Sequence, residues 1–249
     1  MKTLKQSSRE IVVCADVNEI AHEAANRFFQ LSSECISRRG RFTVALSGGS
    51  TPAKLYEILS APPFSDSIPW GSICFFWGDE RCVPPDDPQS NYRLANEKLL
   101  TRVGVPIANI FRIKTENPPK IAAAEYSEAV RKTFHGEFPH FDLVFLGMGS
   151  DGHTASLFPG TDALRIEDQI AVANYVEKFD SWRVTLTLPA LNNAGNVILL
   201  VSGADKAETL RQVLEGEYQP ENLPSQLIKA TPGTLTWIID EPAAGLLSF

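Results

Sequence analysis

Short apolar runs that stop in glycine recur along this chain, and they limit its fold more sharply than anything else in it. Phe42-Thr-Val-Ala-Leu46 runs into Gly48-Gly49, Ile73-Cys-Phe-Phe-Trp77 into Gly78, and Phe141-Asp-Leu-Val-Phe-Leu146 into Gly147, Gly149 and Gly152. Runs this short, with almost no polar position, suit strands buried on both faces. Between them lie stretches of helical spacing, as at Ile20, Ala24, Phe28, Leu31 and Cys35 within residues 18–38. Strands are predicted over 11–14, Phe42–Leu46, Ile73–Trp77, 109–113, 141–146, 170–173, 183–186, Asn196–Val201 and 235–239. Helices are predicted over 18–38, 52–59, 91–100, 121–134 and 206–214. This alternation implies a three-layer α/β fold, a mainly parallel sheet with helices on both faces. No internal repeat or long linker interrupts it, and the Pro/Ser-rich stretch 61–69 reads as a surface loop, so residues 1–249 are expected to form one domain.

Composition removes several classes of partner. A net charge of -7 argues against nucleic acid, which wants a basic face, so any anionic ligand needs a local cluster of Arg, Lys and backbone N–H groups. No apolar run approaches the length of a membrane span. The polar start Met-Lys-Thr-Leu-Lys-Gln-Ser-Ser-Arg-Glu lacks a signal-peptide core, and a cytoplasmic protein is expected. Cys14, Cys35, Cys74 and Cys82 form no Cys-x-x-Cys pair, which is free-thiol usage in a reducing compartment rather than a disulfide frame or a zinc site. Cys82, beside Arg81, is the thiol to watch for oxidation.

In an open parallel sheet, ligands bind beyond the carboxyl ends of the strands, so the loops there carry the chemistry. In Ser47-Gly48-Gly49-Ser50-Thr51-Pro52, the glycines allow close backbone approach, Thr51 or Ser50 can cap the next helix, and Pro52 suits its first turn. Free N–H groups and the helix dipole at that start favour an anion such as phosphate, though the same residues also serve as simple capping chemistry. The pattern is neither Gly-x-Gly-x-x-Gly nor a P-loop with its Lys, so no dinucleotide or nucleoside triphosphate is indicated.

After Trp77-Gly78 come three charges in a row, Asp79-Glu80-Arg81, which leave the chain in different directions and cannot share one partner. Arg81 can grip phosphate with its planar fork while Asp79 orients another group, or the two can pair internally. The third loop, Gly147-Met-Gly-Ser-Asp-Gly-His153, presents an acid and a histidine at a strand end. His22 and His135 fall in helical stretches and His140 precedes a strand, leaving His153 as the candidate general base, with Asp151 placed to hold its tautomer. Arg183 interrupts an apolar, Thr-rich strand, and Lys206 opens a helix against the dipole, a conflict that function would explain.

Taken in order, Leu46-Ser-Gly-Gly-Ser-Thr-Pro52, Trp77-Gly-Asp-Glu-Arg81, Ser90-Asn91, Gly147-Met-Gly-Ser-Asp-Gly-His-Thr-Ala-Ser-Leu-Phe-Pro-Gly160, Arg183-Val-Thr-Leu-Thr-Leu-Pro-Ala-Leu-Asn192 and Val201-Ser-Gly-Ala-Asp-Lys206 closely resemble the 6-phosphogluconolactonase family. The resemblance implies a modified Rossmann-like fold shared with glucosamine-6-phosphate deaminases, and hydrolysis of 6-phospho-D-glucono-1,5-lactone, the second step of the oxidative pentose phosphate pathway. Deaminases carry Asp-Glu-Tyr where this chain has Asp79-Glu80-Arg81. They also carry Ile-Ala-Phe-Asn-Glu-Pro where this chain has Thr154-Ala-Ser-Leu-Phe158-Pro159, so their ring-opening acid is missing here. His153 and Asp151 are then the expected catalytic pair, with backbone N–H groups of the glycine loops meeting the oxyanion. Gly48, Gly49, Ser50, Thr51, Asp79, Arg81, Arg183 and Lys206 are expected to hold the sugar phosphate. The reaction involves no redox change and a tractable leaving group, so neither cofactor nor metal is expected. A monomer or weak homo-oligomer with a small-molecule lactone as its partner completes the expectation.

Overall fold

A computed structural model describes residues 2–6, 9–231 and 233–248. In chain order the elements are β1 (Lys2–Gln6), β2 (Arg9–Cys14), α1 (Val17–Arg39), β3 (Phe42–Leu46), α2 (Ser50–Leu59), α3 (Phe64–Ser67), β4 (Ile73–Trp77), β5 (Asp79–Arg81), α4 (Asn91–Ala95), α5 (Pro119–Thr133), β6 (Leu143–Gly147), β7 (Ala171–Val176), β8 (Ser181–Leu186), α6 (Leu188–Asn192), β9 (Asn196–Val201), α7 (Ala207–Glu215), β10 (Thr234–Asp240) and α8 (Glu241–Ala244). A π-helical turn, Asn96–Leu100, extends α4. The main sheet runs β1-β2-β10-β9-β6-β3-β4, with every pairing parallel except β1 with β2. Helices cover both of its faces, as the alternation implies.

Burial explains why these runs are strands. All five residues of β3 are buried, and β6 and β9 are nearly so, because helices take both faces. On one side Phe28 of α1 meets Phe42 edge-on at 5.5 Å and stacks on Trp70 at 6.0 Å and on Phe145 at 6.5 Å. Burying one such ring contributes roughly 1.5–3 kcal/mol, so α1 is held mainly by its apolar stripe.

The structure departs from the sequence expectations in identifiable places. Residues 109–113 form no strand: after the 3₁₀ turn Ile107–Asn109 the chain touches β4 through one bridge, Phe75 to Ile110. The predicted strands at 170–173 and 183–186 belong to a separate antiparallel sheet, β5-β8-β7, joined as a hairpin through a 3₁₀ turn at Glu177–Phe179 and the left-handed Asp180 (φ 46°). The Asp79–Arg81 loop is the short β5 of that sheet. Gly78 is the junction, donating to Leu46 O in the large sheet and accepting from Leu186 N of the small one, both at 2.8 Å. The polar N-terminal lead pairs as β1, on backbone bonding that composition does not report. Stretch 61–69 contains the single helical turn α3.

Neither Ser50 nor Thr51 caps α2. Gly49, at φ 107°, is the cap residue, which turns the chain one step earlier and puts both hydroxyl residues inside the first turn. All four cysteines are free, and Cys82 is half-buried; burial pushes its thiol up to about 11, so it stays protonated and is a poor target for oxidation.

Candidate active site

The loops after β3, β4, β6 and β9 open at the carboxyl edge of the sheet, where such folds bind ligands. The loop after β6 is tied by its own backbone: Gly149 N donates to His153 O (2.9 Å), Gly152 N to Gly149 O (3.0 Å), and Thr154 Oγ1 to Gly147 O (2.8 Å). Gly149 has to lack a side chain, because a Cβ there would lie 2.1 Å from the His153 ring. These bonds engage the N–H groups of Gly149 and Gly152 within the loop, so neither of those two is a free oxyanion donor.

Within this loop Asp151 Oδ1 lies 2.5 Å from His153 Nδ1. A carboxylate there holds the proton on Nδ1 and leaves Nε2 as the acceptor. The ring of His153 stacks on Phe158 at 4.0 Å and 21°, which fixes its plane. The outer oxygen of Asp151, Oδ2, accepts from Lys178 Nζ at 2.7 Å. Burial would raise the Asp151 carboxyl, but the bonds from His153 and Lys178 prevail and hold it well below the usual carboxylate range.

The three successive charges go three ways. Asp79, buried, accepts from Ser156 Oγ at 2.6 Å and from Asn91 Nδ2 at 3.2 Å. Glu80, also buried, accepts from the backbone N–H groups of Arg81 (2.8 Å), Asn91 (2.8 Å) and Tyr92 (2.7 Å) and from Ser90 Oγ (3.0 Å). It clamps the start of α4 and is structural; burial nevertheless pushes its carboxyl up. Arg81 turns out to donate to Gln89 O, and no Asp79–Arg81 ion pair forms. Asn91 also approaches Gly48 so closely that a Cβ there would sit 1.8 Å from Oδ1, which links the loop after β3 to Asp79.

Opposite Arg81 in the small sheet stands Arg183, 8% exposed, its guanidinium 5.5 Å above the Phe179 ring. Burial and the neighbouring Arg81 both push the Arg183 guanidinium down. Neither arginine has an ion-pair partner among the described residues, and Nε of Arg183 is buried without a hydrogen bond. Ser47 Oγ and Asn91 Oδ1 are likewise buried and unpartnered. Two cations that face each other, one with an unmet buried N–H donor, form a place for an anion. Lys206 closes the 3₁₀ turn Ala204–Lys206 ahead of α7, its Nζ 2.8 Å from Asp205, so a neighbouring carboxylate relieves the dipole conflict. Thr209 of α7 donates to Ser150 O at 2.7 Å and binds that region to the His153 loop.

Sequence reasoning missed Lys178 and Phe179, which sit in an ordinary-looking turn, and gave no role to Asn91, Ser156 or Phe158. A cavity of about 1120 Å³ borders Asp151, Phe158 and Lys178, and its lining includes none of His153, Arg81 and Arg183. Among the described residues no group of three or more His, Cys, Asp or Glu could hold a metal ion, and no helix is long and apolar enough to cross a membrane.

Residues 15–237 match the family described as glucosamine-6-phosphate isomerases/6-phosphogluconolactonase. The chain is 44% identical over 218 residues to a 6-phosphogluconolactonase of a Nostoc species, covering 86% of this chain and 88% of that protein. It is 42% identical over 216 residues to one from a Synechocystis species, covering 85% and 87%. The solved 6-phosphogluconolactonase from Trypanosoma cruzi superposes with a TM-score of 0.87 at 27% identity, covering 100% of both chains. On sequence and fold together, the chain belongs to the glucosamine-6-phosphate isomerase/6-phosphogluconolactonase family.

Proposed function

We propose that this chain hydrolyses 6-phospho-D-glucono-1,5-lactone to 6-phosphogluconate, with His153 as general base. The observation that carries the mechanism is the Asp151–His153 contact of 2.5 Å, which leaves Nε2 as the free acceptor at the end of β6. Nε2 takes a proton from water, and the resulting hydroxide adds to the C1 carbonyl to give a tetrahedral oxyanion. Collapse expels the ring oxygen, which takes the proton back from the imidazolium and leaves as the C5 hydroxyl. Asp151 holds the ring and stabilises its charged form during the cycle. The 6-phosphate is held away from the reacting carbonyl by Arg183 and Arg81, with Lys206 and the Gly48-Gly49-Ser50-Thr51 start of α2, so these groups orient rather than react. Asp79, fixed by Ser156 and Asn91, faces the sugar end of the same crevice as an acceptor for a hydroxyl.

An amino-sugar-phosphate deaminase would need a carboxylate beyond the histidine. Here Leu157 is buried and Phe158 stacks on His153, so apolar side chains fill that side. The test is turnover of freshly generated lactone by wild type and His153→Ala, with the spontaneous rate subtracted. Loss of about a hundredfold or more is expected. An unchanged rate in the mutant would remove His153 from the mechanism, and no wild-type turnover above background would remove the lactonase reading.

A further inference from the structure

The turn between β7 and β8 reaches the dyad from outside. Lys178 Nζ lies 2.7 Å from Asp151 Oδ2, while Asp151 Oδ1 faces His153 Nδ1, so one carboxylate is shared between an ammonium and an imidazole. The next residue, Phe179, steadies the same ammonium, its ring centroid 5.4 Å from Lys178 Nζ. Phe179 also packs edge-on at 5.7 Å against Phe158, the ring that stacks on His153. Asp180 in the left-handed region, bonded to the Tyr175 hydroxyl, closes the turn that presents both residues.

We propose that Lys178 is a positioning residue for the catalytic dyad: it holds the outer oxygen of Asp151 so that the inner one stays on His153 Nδ1, and its charge opposes protonation of His153. This rests on the reading of His153 as the base. The other elements around the dyad add no competing charge in contact with it. The segment after α7 supplies Leu223 against Gly152 and Ser225, which donates to Gly152 O, and α7 supplies Thr209. Lys120, Arg131, Asp162, Asp168 and Glu177 line the cavity that Asp151 borders, and none of them forms an ion pair with the dyad among the described residues. A carboxylate with no ammonium on its far side stabilises an imidazolium more strongly. Without Lys178, His153 therefore holds its proton to higher pH and fails as a base there. Lys178 is 54% exposed, so water screens the effect and keeps it modest, and its removal opens no core.

The experiment is an NMR pH titration of the His153 Cε1–H signal in the full chain, assigned with His153→Gln, for wild type, Lys178→Met and Lys178→Arg. The midpoint should rise by roughly half a pH unit in Lys178→Met and return to the wild-type value in Lys178→Arg. The acid limb of kcat/KM should move with it, with KM little changed. A lysine that merely braced the loop would lower the melting temperature without moving the midpoint, and an unmoved midpoint overturns the proposal. The titration needs no substrate. A shifted midpoint in a chain that turns over no lactone would therefore support the positioning role while removing the lactonase function.

Discussion

Arg183 combines deep burial, an unpartnered Nε and a second arginine across the strand pair. A charge in that position destabilises the empty protein and is relieved by an anion. Arg183→Met should therefore do two opposite things. The free protein should gain about 1 kcal/mol or more in a denaturant titration. KM for the phosphorylated lactone should rise about ten- to a hundredfold through loss of a charged hydrogen-bonding partner. A destabilised mutant with unchanged KM would make the residue part of the packing instead. Arg183 was legible in the sequence because a cation interrupts an apolar, Thr-rich run. His153 was legible because glycines surround it, and those glycines are needed for the close approach of its ring to Gly149. Lys178 was not legible: Glu-Lys-Phe-Asp is ordinary turn composition, and only the fold brings it to Asp151, 27 positions away in sequence.

Two buried tyrosines do at element scale what strand pairing does elsewhere. Tyr56 of α2 donates to Ser47 O at 2.6 Å and accepts from Ser47 N at 3.2 Å, just beyond the end of β3. Tyr126 of α5 donates to Trp77 O at 2.7 Å and accepts from Trp77 N at 2.9 Å, at the end of β4. Each hydroxyl satisfies both backbone groups of a residue at which a site loop departs, and burial pushes both phenols up, so they remain neutral donors. Tyr56→Phe and Tyr126→Phe leave those backbone groups buried and unpaired, and each should lose about 1–3 kcal/mol by chemical denaturation. Turnover should also fall, because the loops carrying Gly48 and Asp79 lose their anchors. Stability within a few tenths of wild type would show that water replaces the hydroxyl. Such clamps escape a sequence reading, which sees Tyr56 and Tyr126 only as apolar positions of their helices. The central strands were legible because burial on both faces leaves almost no polar residue to confuse their pattern. The small sheet was not, because β5 is three residues long and its pairing with β8 is defined only in space.

At the scale of the whole molecule, the candidate site joins two sheets. His153 and the Gly48 loop follow strands of the large sheet, while Arg81 and Arg183 belong to the small one. Polar ties between them include Gly78 with Leu46 and Leu186, Ser156 with Asp79, Thr185 and Asn174, Lys178 with Asp151, and Ser127 of α5 with Ala171. A ligand whose phosphate rests on the arginines and whose ring reaches His153 adds a bridge between the sheets and binds only when both are folded. The product, 6-phosphogluconate, carries that phosphate and no reactive ester, so it tests the bridge without turnover. At a hundred times its Kd it should stabilise the chain by about 2.7 kcal/mol. For a chain of this length that raises the melting temperature by about 5–11 °C. The unfolding transition should stay single and move as a whole, and Arg183→Met should shift far less at the same concentration. Differential scanning calorimetry with and without product reads both quantities. If product split the transition, with the small sheet melting at its ligand-free temperature, the arginines would lie outside the binding site and the phosphate would have to rest on the α2 start and Lys206 alone.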